Sequence, residues 1–323
     1  MAIVINANDG TVTGISVGGL PDDIVDADSL ANSINSEITA NTAKTGITAA
    51  QVAAVNSIVS NGFITGGMVS DYSSGGVMYR VHTFLNNGDI AFTASKAVDF
   101  LIVAGGGGSA GAEGYQTASG GAGAGGMVVG TSQTITAGNY SIVVGDGGAK
   151  NTSTTAPGSA GGNSSFNSIV ATGGGAGPDY GTAGGAGGSG AGGAENQMSA
   201  GASTQDTYSG TTNVTGYGNA GGAGGNYTAD PNGSGGGGGA GGAGTAGTVS
   251  SALAAGGVGL ANNFRTGSNV TYARGGNGVN ANENSSDEAA NTGNGAHGVS
   301  TTTGGNTNSG DGGSGIVVIR YAI

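Results

Sequence analysis

A mainly β fold with a glycine-rich insertion is predicted by three observations. Two strand-like runs, Val98 to Ala104 and Ile316 to Tyr321, bracket the stretch 105–315. Of the chain's 76 glycines, 11 precede position 105 and the other 65 fall inside that stretch. Within it, Gly184-Gly185-Ala186-Gly187-Gly188, Gly221-Gly222-Ala223-Gly224-Gly225 and Gly238-Gly239-Ala240-Gly241-Gly242-Ala243-Gly244 repeat with a period of three. Glycine loses more backbone freedom on ordering than any other residue. At about 1 to 2 kcal/mol per residue, ordering the field costs on the order of 100 kcal/mol, and composition alone suggests disorder. The period suggests what offsets that cost. Three is the residue count per turn of the extended polyproline II helix, which has no internal hydrogen bonds. In such a helix Ala186, Ala223, Ala240 and Ala243 mark one edge and the other two edges carry only hydrogen. Neighbouring backbones then approach closely and satisfy one another laterally, as buried backbone requires. With 4 prolines in the whole chain, collagen is excluded.

The net charge of −12 and the scatter of only 7 Lys and Arg residues argue against nucleic acid or an anionic membrane surface as partner. The absence of cysteine excludes a disulfide framework and Cys-based metal sites. Met1 to Asn6 has neither a basic segment nor a long apolar one, so no secretory signal is expected. No apolar run reaches the ~18 residues of a membrane span, and no membrane insertion is expected.

Residues 1–25 read as strands: Ile3-Val4-Ile5, a turn at Asn8-Asp9-Gly10, then an alternating run to Val17. Asp9, Asp22, Asp23, Asp26 and Asp28 read as a solvated acidic linker, since their spacing does not match a calcium-binding loop. Residues 26–76 read as a short helical oligomerisation or linker region. Leu30, Ile34 and Ile38 make one apolar stripe. Thr48-Ala49-Ala50-Gln51 is a capping box with Ile47 and Val52 as its staple, and Val52, Val55 and Val59 form the second apolar face. Helices this short need a partner: two symmetry copies, which makes the chain a homotrimer, or the rest of the same chain.

Residues 77–323 read as one glycine-rich unit on a β-sandwich frame. Its strands are Met78 to Phe84, Asp89 to Thr93, Val98 to Ala104, Met127 to Val129, Gln133 to Thr136, Tyr140 to Val144, Ser168 to Ala171 and Ile316 to Tyr321. The last closes over an insertion of roughly 145 residues, too long for an ordinary loop. The glycine-poor stretches 195–213 and 277–292 suit loops.

Catalytic motifs are unsupported. Gly106-x-Gly108-x-x-Gly111 follows an apolar strand but lacks the following helix and acidic residue of a dinucleotide site. His82 and His297 are too few for a hydrolytic triad, and Asp179 and Asp287-Glu288 read as solvated loop carboxylates rather than a glycosidase pair. No catalytic residue, metal or cofactor is expected. The aromatic residues stand out instead: Tyr115, Tyr180, Tyr208, Tyr217, Tyr227, Phe264 and Tyr272 in otherwise aromatic-poor sequence. Each either belongs to a recognition surface, where tyrosine offers a rigid face and a hydroxyl, or fills a gap in the fold.

Val81-His82-Thr83-Phe84, Leu101 to Gly108, Tyr140 to Gly148 and Gly312 to Tyr321 resemble the glycine-rich domain of bacteriophage tail-fibre and adhesin proteins over 78–323. Gly14 to Pro21 with Asp26-Ala27-Asp28 resembles the leader of marine phage fibre proteins. The resemblance implies packed polyglycine II helices and a homotrimeric virion protein, extracellular after host lysis. It further implies an N-terminal segment bound to other tail proteins, and tip loops that bind a host surface glycan or outer-membrane protein. The alternative is a purely structural fibre, decoration or self-assembling filament protein.

Overall fold

The computed structural model describes residues 4–5, 12–13, 51, 64–111, 117–152, 156–196, 198–225, 233–248, 253–279, 284–301 and 308–323. The chain divides into two units, Met1–Asn61 and Gly62–Ile323. In the first, β1 (Val4–Ile5) and β2 (Val12–Thr13) pair antiparallel, Val4 opposite Thr13. The acidic linker residues and the apolar stripes Leu30, Ile34, Ile38 and Val52, Val55, Val59 lie outside the described residues.

The second unit is mainly β. Its strands are β3 (Ile64–Thr65), β4 (Met68–Ser74), β5 (Val77–Phe84), β6 (Gly88–Phe92), β7 (Lys96–Val103), β8 (Thr117–Ala118), β9 (Met127–Ile135), β10 (Gly138–Ile142), β11 (Ser164–Phe166), β12 (Ile169–Ala171), β13 (Val214–Tyr217), β14 (Leu260–Asn262), β15 (Val270–Tyr272), β16 (Ser300–Thr301) and β17 (Ile316–Ala322). A six-stranded antiparallel sheet runs β13-β9-β7-β17-β5-β4, and a three-stranded sheet runs β10-β6-β3. Phe84, Phe100, Ile102, Val317 and Ile319 from the first pack with Ile90, Phe92 and Ile142 from the second. On the other face of the six-stranded sheet, Val81, Leu101, Val103, Met127, Ile316 and Val318 pack with Ala240, Phe264 and Tyr272 from the glycine-rich part. Side chains alternate across a strand, so neighbours such as Leu101 and Ile102 enter different cores. Burial on both faces is why β7 and β17 read as unbroken apolar runs.

β4 falls in the stretch read as linker. As the edge strand of the sheet, with Met68 and Val69 exposed, it has no inward-outward alternation to announce it. Its signal is Gly75-Gly76, both at positive φ (59 and 80) between the paired residues Ser74 and Val77. That is the two-residue hairpin turn that suits twisted strands. The segments Met127–Val129 and Gln133–Thr136 merge into β9, which passes the Phe100 ring at Gly130, where a Cβ would enter the ring.

His82 on β5 is fully buried. Its Nδ1 lies 2.6 Å from the Gly66 carbonyl oxygen, so Nδ1 carries the proton and donates. Nε2 is left to accept from the Tyr321 hydroxyl at 3.4 Å. Burial holds the imidazole below its ordinary pKa, partly opposed by the Gly66 hydrogen bond. The unfolded chain takes up this proton near pH 6.5 and the folded chain resists it. Stability is therefore full above about pH 6.5 and falls as pH drops below it. Denaturant midpoints on either side of that pH check this, and His82→Gln is expected to shrink the step.

The described residues of the glycine-rich part form regular laterally bonded rows. Among the described residues, eight extended rows lead away from the sheet: 104–111, 145–152, 172–178, 189–195, 218–225, 244–248, 273–279 and 293–299. Eight return: 119–126, 156–163, 182–188, 198–205, 233–238, 253–259, 284–289 and 308–315. The rows bond laterally with a period of three. The N–H groups of Gly105 and Gly108 donate to Gly162 and Ser159, those of Gly106 and Ser109 to Gly313 and Gly310, and that of Gly107 to Gly123. The carbonyls of Gly105 and Gly108 accept from Gly174 and Gly177, those of Gly106 and Ser109 from Gly148 and Asn151, and that of Gly107 from Ala296. Row 104–111 thus has six hydrogen-bonded neighbours, as does row 119–126. This is the lateral pairing that the period predicted, and it satisfies backbone that has no internal bonds.

Glycine is required by the spacing: a Cβ on Gly105 would run into the Asp146 carbonyl oxygen, and one on Gly121 into that of Gly276. Of the alanines expected to mark an edge, Ala186, Ala223 and Ala243 are exposed, whereas Ala240 is buried against the sheet. The glycine-poor stretches read as loops contain rows 198–205 and 284–289. β13, β14 and β15 also lie within the long insertion, β13 as an edge strand on β9.

Candidate functional site: the far face of the glycine block

Row direction decides where the connections lie. Row 104–111 leaves the end of β7, and the pairings of Ala104 with Gly126 and Gly107 with Gly123 make row 119–126 its antiparallel return. Carried through all rows, these pairings gather eight chain reversals at the face opposite the sheet. They fall between 111 and 117, 152 and 156, 178 and 182, 195 and 198, 225 and 233, 248 and 253, 279 and 284, and 301 and 308. The near end instead carries β9 to β15 and short turns. Among the described residues, the far face carries the short β8–β16 pair and the turn at 178–182.

This division separates the aromatic residues singled out in the sequence. Tyr115 and Tyr227 lie outside the described residues. Tyr180 sits on a far-face turn and is 43% exposed. Asp179 builds that turn: its carboxylate accepts the Tyr180 N–H at 2.7 Å, and its carbonyl accepts the Thr182 hydroxyl at 2.6 Å. Burial pushes the Asp179 carboxyl above its ordinary pKa. The other four aromatics lie at the near end. Tyr208 packs on the sandwich core, its hydroxyl donating to the Val170 carbonyl and accepting the Val170 N–H, both at 2.8 Å. Tyr217, Phe264 and Tyr272 pack on the opposite-face core, Phe264 and Tyr272 buried. Burial raises the Tyr272 pKa, and Arg265 beside it opposes the shift. Tyr208→Phe is expected to cost about 2 kcal/mol because it leaves the Val170 groups unpaired; a denaturant midpoint measures it.

Sequence reading did not find the cleft on the far face, of about 520 Å³, lined by Lys150, Thr152, Ser285, Ser286, Asp287, Asn308 and Ser309. The Lys150 ammonium lies 2.7 Å from Asp287 and 3.9 Å from Asp311. The backbone crosses the same three rows: Lys150 N–H donates to the Asp311 carboxylate at 2.7 Å, and Asp311 N–H to that of Asp287 at 3.0 Å. The Asp311 N–H and then Lys150 hold the Asp287 carboxyl below its ordinary pKa, and the bond to Asp287 raises that of Lys150. Glu288 is engaged with Asn294 at 3.2 Å and His297 at 3.5 Å. Hydroxyls, an amide, an ammonium and a carboxylate around one hollow supply donors and acceptors suited to a polyhydroxylated ligand. The only signal in the sequence was the polar, glycine-poor run around Asp287.

No curated protein matches the chain. A family model described as a glycine-rich domain matches residues 85–322, which include every row of the block and all of the six-stranded sheet except β4 and β5. The chain therefore belongs to the glycine-rich domain family.

Proposed function

We propose that the chain is a bacteriophage tail-fibre or adhesin subunit that recognises a host cell-surface receptor through the far face of its glycine block. The observation that carries this reading is the gathering of all eight reversals on one face, with the polar cleft and Tyr180 among them. A rigid scaffold with connections at one end is the usual placement of binding residues. In this reading the N-terminal unit binds other tail proteins and joins three copies through Leu30, Ile34, Ile38, Val52, Val55 and Val59. The receptor is a surface glycan or an outer-membrane protein, and the protein acts from the virion and outside the cell after lysis. Polar lining favours the glycan.

The full chain, labelled and incubated with bacteria adsorbed by the phage that carries it, is expected to bind saturably and to block adsorption. Tyr180→Ala is expected to weaken binding about tenfold, the scale of one anchoring aromatic, without moving the thermal midpoint. A folded chain that binds no susceptible cell would overturn the reading.

A further inference from the structure

The polar cleft on the far face is built across three rows, 145–152, 284–289 and 308–315. Its lining is fixed before any ligand arrives. The N–H groups of Ser285 and Glu288 donate to the Asn308 and Asp311 carbonyls, the Asn308 N–H donates to the Asn284 side chain at 3.0 Å, and the Ser309 hydroxyl donates to the Asn151 carbonyl at 2.9 Å. The volume of about 520 Å³ lies within the ~300 to 1,000 Å³ range of small-ligand sites. Polar groups that are already held spare a ligand the cost of ordering them.

Charge decides which ligand suits the cleft. Lys150 is the one cation among its lining residues, and it is spent on two carboxylates, Asp287 at 2.7 Å and Asp311 at 3.9 Å. One ammonium against two carboxylates leaves an excess of negative charge. Both hydrogen bonds that Asp287 accepts fall on Oδ1. Among the described residues none donates to its Oδ2, and its side chain is 57% exposed. Asp311 gives Oδ1 to the Lys150 N–H at 2.7 Å, and the nearest cation to its Oδ2 is the same Lys150 ammonium, 3.9 Å away. Glu288, the next residue along row 284–289, adds a further carboxylate. The hydrogen bonds that lower the Asp287 pKa and raise that of Lys150 keep both groups ionised at neutral pH. An ammonium on the ligand balances Asp287 and Asp311, whereas a carboxylate or phosphate deepens the excess, in a chain of net charge −12. Unpaired like charge is a means of rejecting the wrong ligand. We propose that the cleft binds an amino sugar of the receptor glycan, its ammonium shared by Asp287 and Asp311 and its hydroxyls met by Ser286 and Asn308, and that it rejects uronic and phosphorylated sugars. This inference rests on the reading of the far face as the receptor-binding surface.

The test titrates the full chain, by protein-detected NMR, with glucosamine, galactosamine and mannosamine, with their N-acetyl forms, and with glucuronate and galacturonate. At least one hexosamine is expected to bind about tenfold more tightly than its N-acetyl form, the scale of one charge-assisted contact, and the uronates are expected to bind more weakly still. Asp287→Asn keeps the Oδ1 acceptor and removes the charge, and is expected to lower hexosamine affinity about tenfold. Asp146→Asn removes the same charge from an exposed position at the other end of row 145–152 and is expected to leave the affinity unchanged. If Asp287→Asn does not fold, Asp311→Asn takes its place under the same criteria. A uronate that binds as tightly as the hexosamines, hexosamine binding that survives Asp287→Asn, or a chain that takes none of these sugars overturns the proposal. Cell binding is read separately. A chain that adsorbs to susceptible cells yet takes no hexosamine overturns the amino-sugar proposal and leaves the receptor reading standing, whereas a folded chain that binds no susceptible cell overturns the receptor reading itself.

Discussion

Gly106→Ala is expected to destabilise the protein by about 3 kcal/mol, the upper end of the cost of overpacking a core, and to lower the thermal midpoint by roughly 6 to 12 °C. The added Cβ meets only backbone: the carbonyl of Asn294 and the nitrogen of Gly295. No side chain can rotate away, so row 293–299 must shift. That row also holds row 119–126 through Ser119, Ala122 and Gly125, and the displacement reaches a second fully surrounded row. Gly210→Ala is the control. Nothing lies within 4 Å of its Cβ position, and its effect is expected to stay within about 0.5 kcal/mol. Calorimetry of the two variants separates a requirement for glycine by close approach from a general cost of replacing glycine.

Arg320→Ala is expected to cost about 3 kcal/mol, the lower end for breaking a buried ion pair, because both partners retain some solvent. Arg320 and Asp99 side chains are 12% and 21% exposed and meet at 2.9 Å. The same guanidinium donates to the Tyr72 hydroxyl at 2.6 Å and lies 4.5 Å from the Tyr79 ring centroid and 4.0 Å from that of Phe264. Tyr72 in turn reaches the Asn263 and Phe264 carbonyls at 3.3 and 3.2 Å. One cation therefore ties β4, β5, β7 and β17 to the near-end connection of the glycine block. Arg320→Lys keeps the charge but loses the planar fork and the stacking, and is expected to recover about half of the loss. With Asp99→Asn added, the cost is expected to fall below the sum of the single changes, which a denaturant-based double-mutant cycle measures.

The sandwich strands were legible because β7 and β17 are buried on both faces and carry unbroken apolar runs. β4 was not, because an exposed edge strand has no alternation, and only Gly75-Gly76 marked it. β13, β14 and β15 are three- or four-residue strands, too short to show an alternation; β14 and β15 pair with each other, and β13 pairs with β9, far away in sequence. Period three announced lateral packing, yet it reads the same in both chain directions. It therefore gave no sign of which connections share a face. That is why Tyr180 and Tyr208 looked alike in sequence, although one stands on the far-face turn and the other closes on Val170 in the near-end core. The cleft was hidden for the same reason: Lys150, Asp287 and Asp311 belong to separate rows that only the lattice brings together.

Amide hydrogen exchange across the glycine block tests the central claim most directly, since a laterally bonded lattice and a disordered glycine tract differ by orders of magnitude in protection. Peptides covering 104–110 and 119–126 are expected to exchange as slowly as β17, with the exposed positions of rows 182–188 and 218–225 exchanging faster. If 104–110 and 119–126 exchanged at the rate of free glycine peptide while β17 stayed protected, the block would not be a lattice. The far face would then have no scaffold to hold it.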